Sequence, residues 1–316
     1  MKTSVLLPLT VLATAAAAFA QGSLTPPPGA PAPVMKSLDQ IEARTPLVAG
    51  QPGVSIDANG GITISASGSY YLTGNRTVST GNGILINSSG VSVDLNGFSL
   101  ISTSSTNTGI GISLNSNTKD ITIFNGHIRG SVSNSGGTYT GNGFNDGITA
   151  PGGAVLNAQV RNVTVSGCKS KGIDLAVTSG ISTVIESCVV RSVGGLGIAA
   201  NVVSQCSATD CGSTAISADA VSNCTAKSTA GLGIDAEVVQ NCHAVGAVKG
   251  ILAERSVTNS YGEGLASDPG ISCGSGTTSF SQGKSATGFA IYSSIAIGCT
   301  TAGGTIGSAQ KHLGTP

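Results

Sequence analysis

Three side chains around a glycine-rich insertion have the types needed for acid–base chemistry on a sugar. His127 and Arg129 alternate along the run KDITIFNGHIRG and therefore share one outward face of a predicted strand, and Asp146 ends the insertion that follows. An imidazole and a carboxylate can transfer protons, while a guanidinium can pair with an anionic group. If the protein is an enzyme, His127, Arg129 and Asp146 are the predicted catalytic residues.

The insertion itself, SVSNSGGTYTGNGFND (131–146), is a candidate binding loop. Long loops on repeat scaffolds often carry function. Aromatic rings beside amides suit the apolar faces and hydroxyl edges of a sugar. This predicts ligand contacts from Tyr139, Asn142, Phe144 and Asn145. The alternative is a disordered Gly/Ser loop without a ligand.

Charged residues also recur at fixed distances from two sequence markers. Counting from a repeated Gly-Ile marker places Asn201, Asp219, Glu237 and Glu254 in one column. Stacked carboxylates must be solvated, share a proton or bind a cation, and oxygen ligands suit calcium. Counting from the cysteines gives a second column, Lys171, Arg191, Thr209 and Lys227, which could meet an acidic polysaccharide. For both columns the alternative is a solvated polar face.

The chain has eight cysteines, five of which are expected in one inward column: Cys168, Cys188, Cys206, Cys224 and Cys242. Neighbouring strands lie within disulfide range at Cα, but the spacing of about 4.8 Å at Cβ exceeds the preferred value of about 3.8 Å. We therefore expect mostly reduced, buried thiols, with vertical disulfides as the alternative. Cys211 falls outside the column and is predicted to be the exposed thiol.

These residues must be positioned by an internal repeat. Phrases of the type Val221-Ser-Asn-Cys224 return every 18 residues, and a second marker, Gly-Ile or Ala-Ile, occurs eleven times between Gly61-Ile62 and Ala290-Ile291. Between the markers, apolar residues alternate in short runs, which is typical of strands. Glycine, asparagine and β-branched residues are poor helix formers. The repeat predicts a chain wound into about eleven rungs of parallel strands, with Asn125, Asn223, Asn241 and Asn259 stacked at one bend.

This pattern resembles the right-handed parallel β-helix proteins of the pectate-lyase-like superfamily, and a broad group of secreted bacterial β-helix proteins. The resemblance is carried by GSYYLTGNRTV (68–78), GILINSSGVSVDLNGFSL (83–100) and KDITIFNGHIRG (119–130), and it covers roughly residues 55 to 300. A left-handed β-helix is the competitor, since eighteen residues make three hexapeptides. However, steps of six place Lys227 and Glu263 at positions that must be buried.

The resemblance implies little about activity. Pectate lyases and polygalacturonases have clustered aspartates or a Gly-His-Gly segment, whereas this chain has Gly126-His127-Ile128 with isolated Asp94 and Asp120. Asp219 and Glu237 could reach the shorter carboxylate spacing of a glycosidase, about 5 Å. The motif comparison therefore leaves both a binding protein and an enzyme open.

Composition and the N-terminus bound the remaining possibilities. The chain has 316 residues with fifteen acidic and fifteen basic side chains, so no net field attracts DNA or an anionic membrane. The N-terminal residues have the charge, apolar run and Ala-x-Ala site of an export signal. The predicted organisation is a signal peptide (1–20), a proline-rich spacer (21–34), a cap segment (35–54) with a short helix at Met35–Arg44, a β-helix domain (55–305) and a C-terminal tail (306–316).

We therefore expect a secreted protein, extracellular or periplasmic, without a transmembrane anchor. The predicted role is non-catalytic binding of a polysaccharide or cell-envelope glycan, or a structural role there. The alternative is a polysaccharide lyase or glycoside hydrolase acting on an acidic polysaccharide. Calcium, held by Asp219, Glu237 and Glu254, is the one cofactor considered. The oligomeric state is left open.

Overall fold

Short alternating runs form strands throughout the described part of the chain, and no helix occurs there. The computed structural model describes residues 44–151, 153, 155–176, 182–265 and 267–313. The predicted signal peptide, the spacer and the capping helix up to residue 43 lie outside these residues. The described residues belong to one unit, Ala43–Pro316.

The strands are, in chain order, β1 (Thr45–Pro46), β2 (Val54–Ile56), β3 (Ile62–Ile64), β4 (Gly68–Tyr71), β5 (Arg76–Val78), β6 (Ile84–Ile86), β7 (Val91–Asp94), β8 (Ser99–Ser102), β9 (Gly109–Leu114), β10 (Lys119–Arg129), β11 (Ser133–Ser135), β12 (Thr138–Thr140), β13 (Phe144–Thr149), β14 (Leu156–Ser166), β15 (Ile173–Asp174), β16 (Thr183–Glu186), β17 (Val189–Val193), β18 (Ile198–Ser204), β19 (Ser207–Cys211), β20 (Ile216–Ser222), β21 (Thr225–Ser228), β22 (Ile234–Gln240), β23 (His243–Gly246), β24 (Ile251–Thr258), β25 (Tyr261–Gly264), β26 (Ile271–Ser279), β27 (Gln282–Ser285), β28 (Phe289–Ile297), β29 (Thr300–Thr301) and β30 (Thr305–Leu313).

Each coil of the chain has three sides, and each side pairs in parallel with the same side of the next coil. The first side carries the isoleucine column, which runs in register through Ile62, Ile84, Ile112, Ile148, Ile173, Ile198, Ile216, Ile234, Ile251, Ile271, Ile291 and Ile306. The fold is an all-β, right-handed type of β-solenoid with about 12 turns. The predicted parallel β-helix is confirmed.

The second and third sides supply the rest of the core. On the second side the inward column includes Val93, Ile123, Val160, Ile185, Val203, Val221, Val239, Val257, Thr278 and Ala296. On the third side it includes Leu100, Ile128, Val165, Val190, Ala208, Ala226, Ala244, Gly262 and Gly283. Alternation along each strand buries these side chains and turns their neighbours outward.

Three details of the predicted repeat are corrected. The third rung is marked by Gly111-Ile112 and not by Gly109-Ile110, because a register shift before Asp146 moves the pairing. Thr45–Pro46, within the predicted cap segment, pairs in parallel with Tyr70–Tyr71. The segment assigned to a C-terminal tail from residue 306 continues the last pairing as far as Leu313.

The glycine of the Gly-Ile marker is required by close packing between coils. A Cβ on Gly147 would lie 2.4 Å from the carbonyl oxygen of Gly172, and a Cβ on Gly172 would lie 2.4 Å from that of Gly197. Backbone oxygens cannot move away from such a contact without breaking strand pairing. Glycine therefore recurs for steric reasons on the first side.

The asparagine bend between the second and third sides is confirmed. Asn125, Asn223, Asn241 and Asn259 all have positive φ, between 47° and 65°. Asparagine tolerates this left-handed conformation better than most residues. The amide of Asn241 donates to the side-chain oxygen of Asn223 at 3.3 Å, as expected for a ladder.

All eight cysteines are free and buried, including Cys211, so the prediction of an exposed thiol at Cys211 is wrong. Burial raises the pKa of the Cys211 thiol to about 12. Within the bend ladder, the Cys224 thiol donates to the carbonyl of Ser222 at 3.1 Å and accepts from the backbone N–H of Cys206 at 3.4 Å. Ser260 makes equivalent bonds with Thr258 and Cys242. The recurring small side chain satisfies backbone groups beside the bend, which explains why cysteine and serine interchange.

Candidate functional site

The outward residues of the third side form a continuous polar surface, here called the third-side face. Its first column includes Ser99, His127, Thr164, Val189, Ser207, Thr225, His243, Tyr261, Gln282 and Thr300. Its second column, two residues further along each strand, includes Ile101, Arg129, Ser166, Arg191 and Thr209. Two grooves lie on this face.

The first groove, here called the arginine groove, contains two of the predicted catalytic residues. It has a volume of about 530–700 Å³ typical of small-ligand sites, and its lining includes His127, Arg129, Ser131, Val132 and Arg191. His127 and Arg129 both project outward and are exposed. The structure therefore brings His127 and Arg129 together, and it adds Arg191, which the sequence analysis had placed only in the basic column.

Arg129 and Arg191 are separated by one coil, because Arg129 pairs with Ser166 and Ser166 pairs with Arg191. Two strand spacings put their Cα atoms about 10 Å apart. Lys171 does not belong to this column, because Ser166 occupies the register position opposite Arg191. The predicted pairing of Arg191 with Thr209 is confirmed.

The insertion is an ordered hairpin and not a loose loop in this structure. Ser133–Ser135 pairs antiparallel with Thr138–Thr140, and the hairpin contacts later coils through Tyr139. A Cβ on Gly212 would lie 2.9 Å from the Tyr139 ring, so glycine at this coil leaves room for the ring. Lys169 donates from Nζ to the carbonyl oxygen of Tyr139 at 2.8 Å.

Asp210 is the main anchor of the hairpin. One of its carboxylate oxygens accepts hydrogen bonds from the Asn134 amide and, at 3.2 Å, from the Tyr139 hydroxyl. The other accepts from the Ser192 hydroxyl at 2.7 Å. Burial acts to raise the pKa of Asp210, but the three hydrogen bonds outweigh burial and the pKa lies below its ordinary value.

Tyr139 has an anchoring position instead of an open ligand-binding one. Its hydroxyl lies 3.0 Å from the Thr229 hydroxyl as well as contacting Asp210. Burial raises the pKa of Tyr139 to about 12. The ring and hydroxyl therefore fix the hairpin beside the arginine groove, whose wall is formed by Ser131 and Val132 at the start of the insertion.

The other predicted loop residues are dispersed. Phe144 is fully buried in the core, so its ring is not available to a surface ligand. Asn142 is exposed, with its side-chain oxygen 3.5 Å from the Asn107 amide nitrogen. Asn145 is half-buried, and its carbonyl accepts the backbone N–H of Ser170 at 2.8 Å. Only Asn142 remains open to solvent among these three.

Asp146 is not brought to His127 and Arg129. Its carboxylate accepts the backbone N–H of Lys171 at 3.0 Å at the start of the first side. The described lining of the arginine groove contains neither Asp146 nor any other aspartate or glutamate. The predicted catalytic trio is therefore divided between two sides of the coil.

The acidic column lies on another part of the solenoid. Asp219, Glu237 and Glu254 line a cavity of about 500 Å³, in the usual range for small-ligand pockets, together with Asn201 and Asp235. Asn201 donates to Asp219 at 2.8 Å, and Arg255 pairs with Glu237 at 3.2 Å. Burial, and then the neighbouring Glu254, raise the pKa of Asp235. Among the described residues, no group of three or more His, Cys, Asp or Glu side chains is arranged to hold a metal ion. Calcium binding by this column stays a prediction.

The second groove on the third-side face was missed by the sequence analysis. It is here called the aromatic groove, and its lining includes Asn241, His243, Asn259, Tyr261 and Phe280. Phe280 occupies the bend position of the phrase Thr278-Ser-Phe-Ser281, which comes 21 residues after the Val257 phrase. Extending the phrase to this wider spacing would have placed Phe280 in the asparagine column.

Comparison with known proteins supplies a structural relative but no family. No protein-family model matches the chain, and no curated protein matches it. Among solved structures, the chain is similar to the A-module of the mannuronan C-5 epimerase AlgE4 of Azotobacter vinelandii. The two share 12% sequence identity with a TM-score of 0.47, over 78% of this chain and 88% of that chain.

The strands account for the regular structure in the region around both grooves. Within the described residues, no helix has the length and hydrophobicity that a membrane crossing requires.

Proposed function

We propose that the protein binds an anionic glycan along the third-side face, with Arg129 and Arg191 as the principal contacts, and that binding without efficient turnover is its role. The observation that carries this proposal is the pair of exposed arginines in one outward column of the arginine groove. A planar guanidinium matches a carboxylate or sulfate in a bidentate geometry. Two such groups about 10 Å apart suit a repeating anionic polymer.

The charge of the groove supports an anionic ligand. Its described lining contributes Arg129, Arg191 and His127 and no carboxylate, so positive charge is not neutralised within the lining. The serine and threonine hydroxyls beside them, Ser166 and Thr164, can bond to sugar hydroxyls. Because the arginines are exposed, their interactions are screened by salt, and we expect affinity to fall as ionic strength rises.

The positions of the carboxylates favour binding over hydrolysis. Asp146 contacts the backbone of Lys171, and Asp210 accepts three hydrogen bonds that hold the hairpin. Hydrolysis of a glycosidic bond uses two carboxyl groups that flank that bond. A lyase acting on an acidic polysaccharide is the alternative, in which His127 would serve as the base and an arginine would neutralise the uronate carboxylate.

The test is a binding and turnover panel of polygalacturonate, alginate, xylan and a glycosaminoglycan, with and without calcium. We expect retention on an anionic polymer and weaker retention on xylan. The double variant Arg129→Gln/Arg191→Gln should raise Kd about tenfold or more. Arg161→Gln is the matched control, because Arg161 precedes the bend and stacks over Phe124 on the second side.

Two results would contradict the proposal. Unchanged affinity of the double arginine variant would place the glycan elsewhere. Formation of unsaturated products or new reducing ends, lost in His127→Ala, would establish the lyase or hydrolase alternative in its place.

A further inference from the structure

The aromatic groove continues the third-side face beyond the arginine groove. Thr225, His243, Tyr261 and Gln282 lie in the same outward column as His127 and also line the aromatic groove. The coil of His243 follows the coil of Arg191 by three strand spacings, or about 15 Å. A single extended ligand can therefore contact both grooves.

Phe280 is the exceptional residue of the bend column. Its φ is 47°, and the positions in register with it along the bend are occupied by Asn162, Ser187, Gln205, Asn223, Asn241, Asn259 and Gly298. A bulky aromatic residue rarely adopts positive φ, and such a conformation costs about 1–3 kcal/mol. Phe280 is nevertheless 67% exposed, so core packing does not offset that cost.

The structure makes space for the ring outside the core. A Cβ on Gly298, the next residue in the bend column, would lie 3.0 Å from the Phe280 ring. The ring therefore lies over Gly298 and extends along the outer surface of the bend. An exposed, strained aromatic residue at the edge of a groove points to ligand contact.

A second aromatic surface lies on the same groove. His243 and Tyr261 stack with ring centroids 4.9 Å apart and an interplanar angle of 10°. The Tyr261 hydroxyl donates to Glu263 at 3.0 Å, and Glu263 pairs with Lys284 at 2.6 Å. These bonds fix the orientation of the Tyr261 ring, while Asn241 and Asn259 add amides to the lining.

We propose that the aromatic groove is a second carbohydrate subsite, in which the Phe280 ring stacks on the apolar face of a pyranose unit. The side chains of Asn241, Asn259 and Gln282 bond to its hydroxyls, and His243 and Tyr261 form the adjoining wall. Rings and amides in one groove are the combination that sugars require, because a pyranose presents C–H groups on its face and hydroxyls at its edge. This subsite rests on the proposed function, since it assumes that the arginine groove holds another part of the same glycan.

The decisive variant is Phe280→Asn. Asparagine is the common residue of the bend column and tolerates positive φ, so the variant should fold and melt at or above the temperature of the wild type. It removes the ring, and we expect the Kd for the retained anionic oligosaccharide to rise by roughly tenfold. Phe289→Asn is the control, because Phe289 is an exposed ring that lies on the first side against Tyr292.

Phe280→Trp offers a direct readout of contact. The chain contains no tryptophan, so this variant has a single indole and its emission reports on the groove alone. Titration with oligogalacturonates of graded length should shift that emission only for oligomers that bind. Affinity should rise with length until the oligomer spans both grooves, and Phe280→Asn should remove that final rise.

The outcomes separate the two proposals. If the wild type binds none of the oligosaccharides, the proposed function and the subsite both fail. If binding depends on Arg129 and Arg191 but Phe280→Asn has the affinity of the wild type and the indole emission is unchanged, only the subsite fails. A loss of affinity in Phe280→Asn with unchanged melting, absent in Phe289→Asn, supports the subsite.

Discussion

The early and late coils of the solenoid solve the same packing problem with side chains of different size. On the third side the inward residue is Leu100, Ile128, Val165 or Val190 in the early coils, but alanine from Ala208 to Ala244 and glycine at Gly262 and Gly283. The coils shorten in parallel, from the interval Ile112 to Ile148 to the 18-residue interval between Ile198 and Ile216.

The difference shows that coil length sets the space between the first and third sides. In an early coil, a Cβ on Gly147 would lie 2.4 Å from a methyl group of Val165. In a late coil, a Cβ on Gly262 would lie 2.4 Å from the backbone oxygen of Gly270. Shorter coils bring backbone against backbone, so both facing positions must be small. The same shortening leaves the later part of the third-side face without a hairpin.

The largest expected effect comes from adding one methyl group to a late coil. A Cβ on Gly283 would lie 2.1 Å from the backbone oxygen of Ala290, so Gly283→Ala must shift paired backbone. Overpacking of this kind costs up to about 3 kcal/mol, or roughly 10 °C in Tm. Thermal unfolding followed by circular dichroism measures the shift. Gly74→Ala is the control, since no atom lies within 4 Å of its added Cβ; equal melting of the two variants would break the packing comparison.

The next effect concerns the hairpin of the early coils. Asp210→Ala removes the acceptor of three hydrogen bonds, and we expect it to destabilise the docked hairpin locally by about 2 kcal/mol. Hydrogen exchange should show faster exchange at Ser133–Thr140 with little change in β26 and β28. Exchange confined to the late coils would contradict the anchoring role of Asp210.

The same anchor predicts a direction for pH. Because the folded pKa of Asp210 lies below the ordinary value of 3.8, its stabilisation is complete above that value and is lost as pH falls through the lowered pKa. Hairpin protection, corrected for intrinsic exchange, should therefore persist near pH 4 and decline below it. Asp210→Asn, which lacks the charge, should show no such decline.

The cysteine ladder should distinguish hydrogen bonding from simple apolar packing. Cys224→Ala leaves the carbonyl of Ser222 and the N–H of Cys206 without their side-chain partner, at a cost of about 1–2 kcal/mol. Cys224→Ser keeps both bonds, as Ser260 does, and should cost less. Urea unfolding of the two variants measures the difference. If serine were the more destabilising substitution, the thiols would act mainly as hydrophobic groups.

The smallest expected effect is a gain in stability. Thr278 is fully buried in the valine column of the second side, and its hydroxyl has no hydrogen-bond partner among the described residues. Thr278→Val replaces that hydroxyl with a methyl group of similar size and should stabilise the fold by about 1 kcal/mol. A rise in Tm of a few degrees is expected. Ser293→Ala, which removes a hydroxyl bonded to the carbonyl of Ile295, should lower Tm instead.

The repeat was predictable because each marker has a local cause. Positive φ selects asparagine at Asn223 and Asn241, and backbone contact selects glycine before Ile148 and Ile173. Where a cause acts through register, the sequence pattern was insufficient. The register shift before Asp146 moved the marker from Ile110 to Ile112, and no spacing rule reveals a shift of that kind.

The site was predictable only where its residues share a strand. His127 and Arg129 alternate on β10 and were correctly placed on one outward face. Asp146 and Phe144 belong to the next coil, whose path after the hairpin depends on how Tyr139 contacts Asp210 and Thr229. Contacts between residues 70 to 90 positions apart are set by coil stacking and cannot be read from local spacing.

The regular interval of the late coils has a consequence for how such a chain can change. Cys188, Cys206, Cys224 and Cys242 follow one another at 18 residues, and each contacts its neighbours in nearly the same way. Duplication or loss of one such unit would leave the surroundings of most other residues intact. The reach of the third-side face would then change in steps of about 4.8 Å. The protein is in this respect a ruler whose length is written in whole repeats.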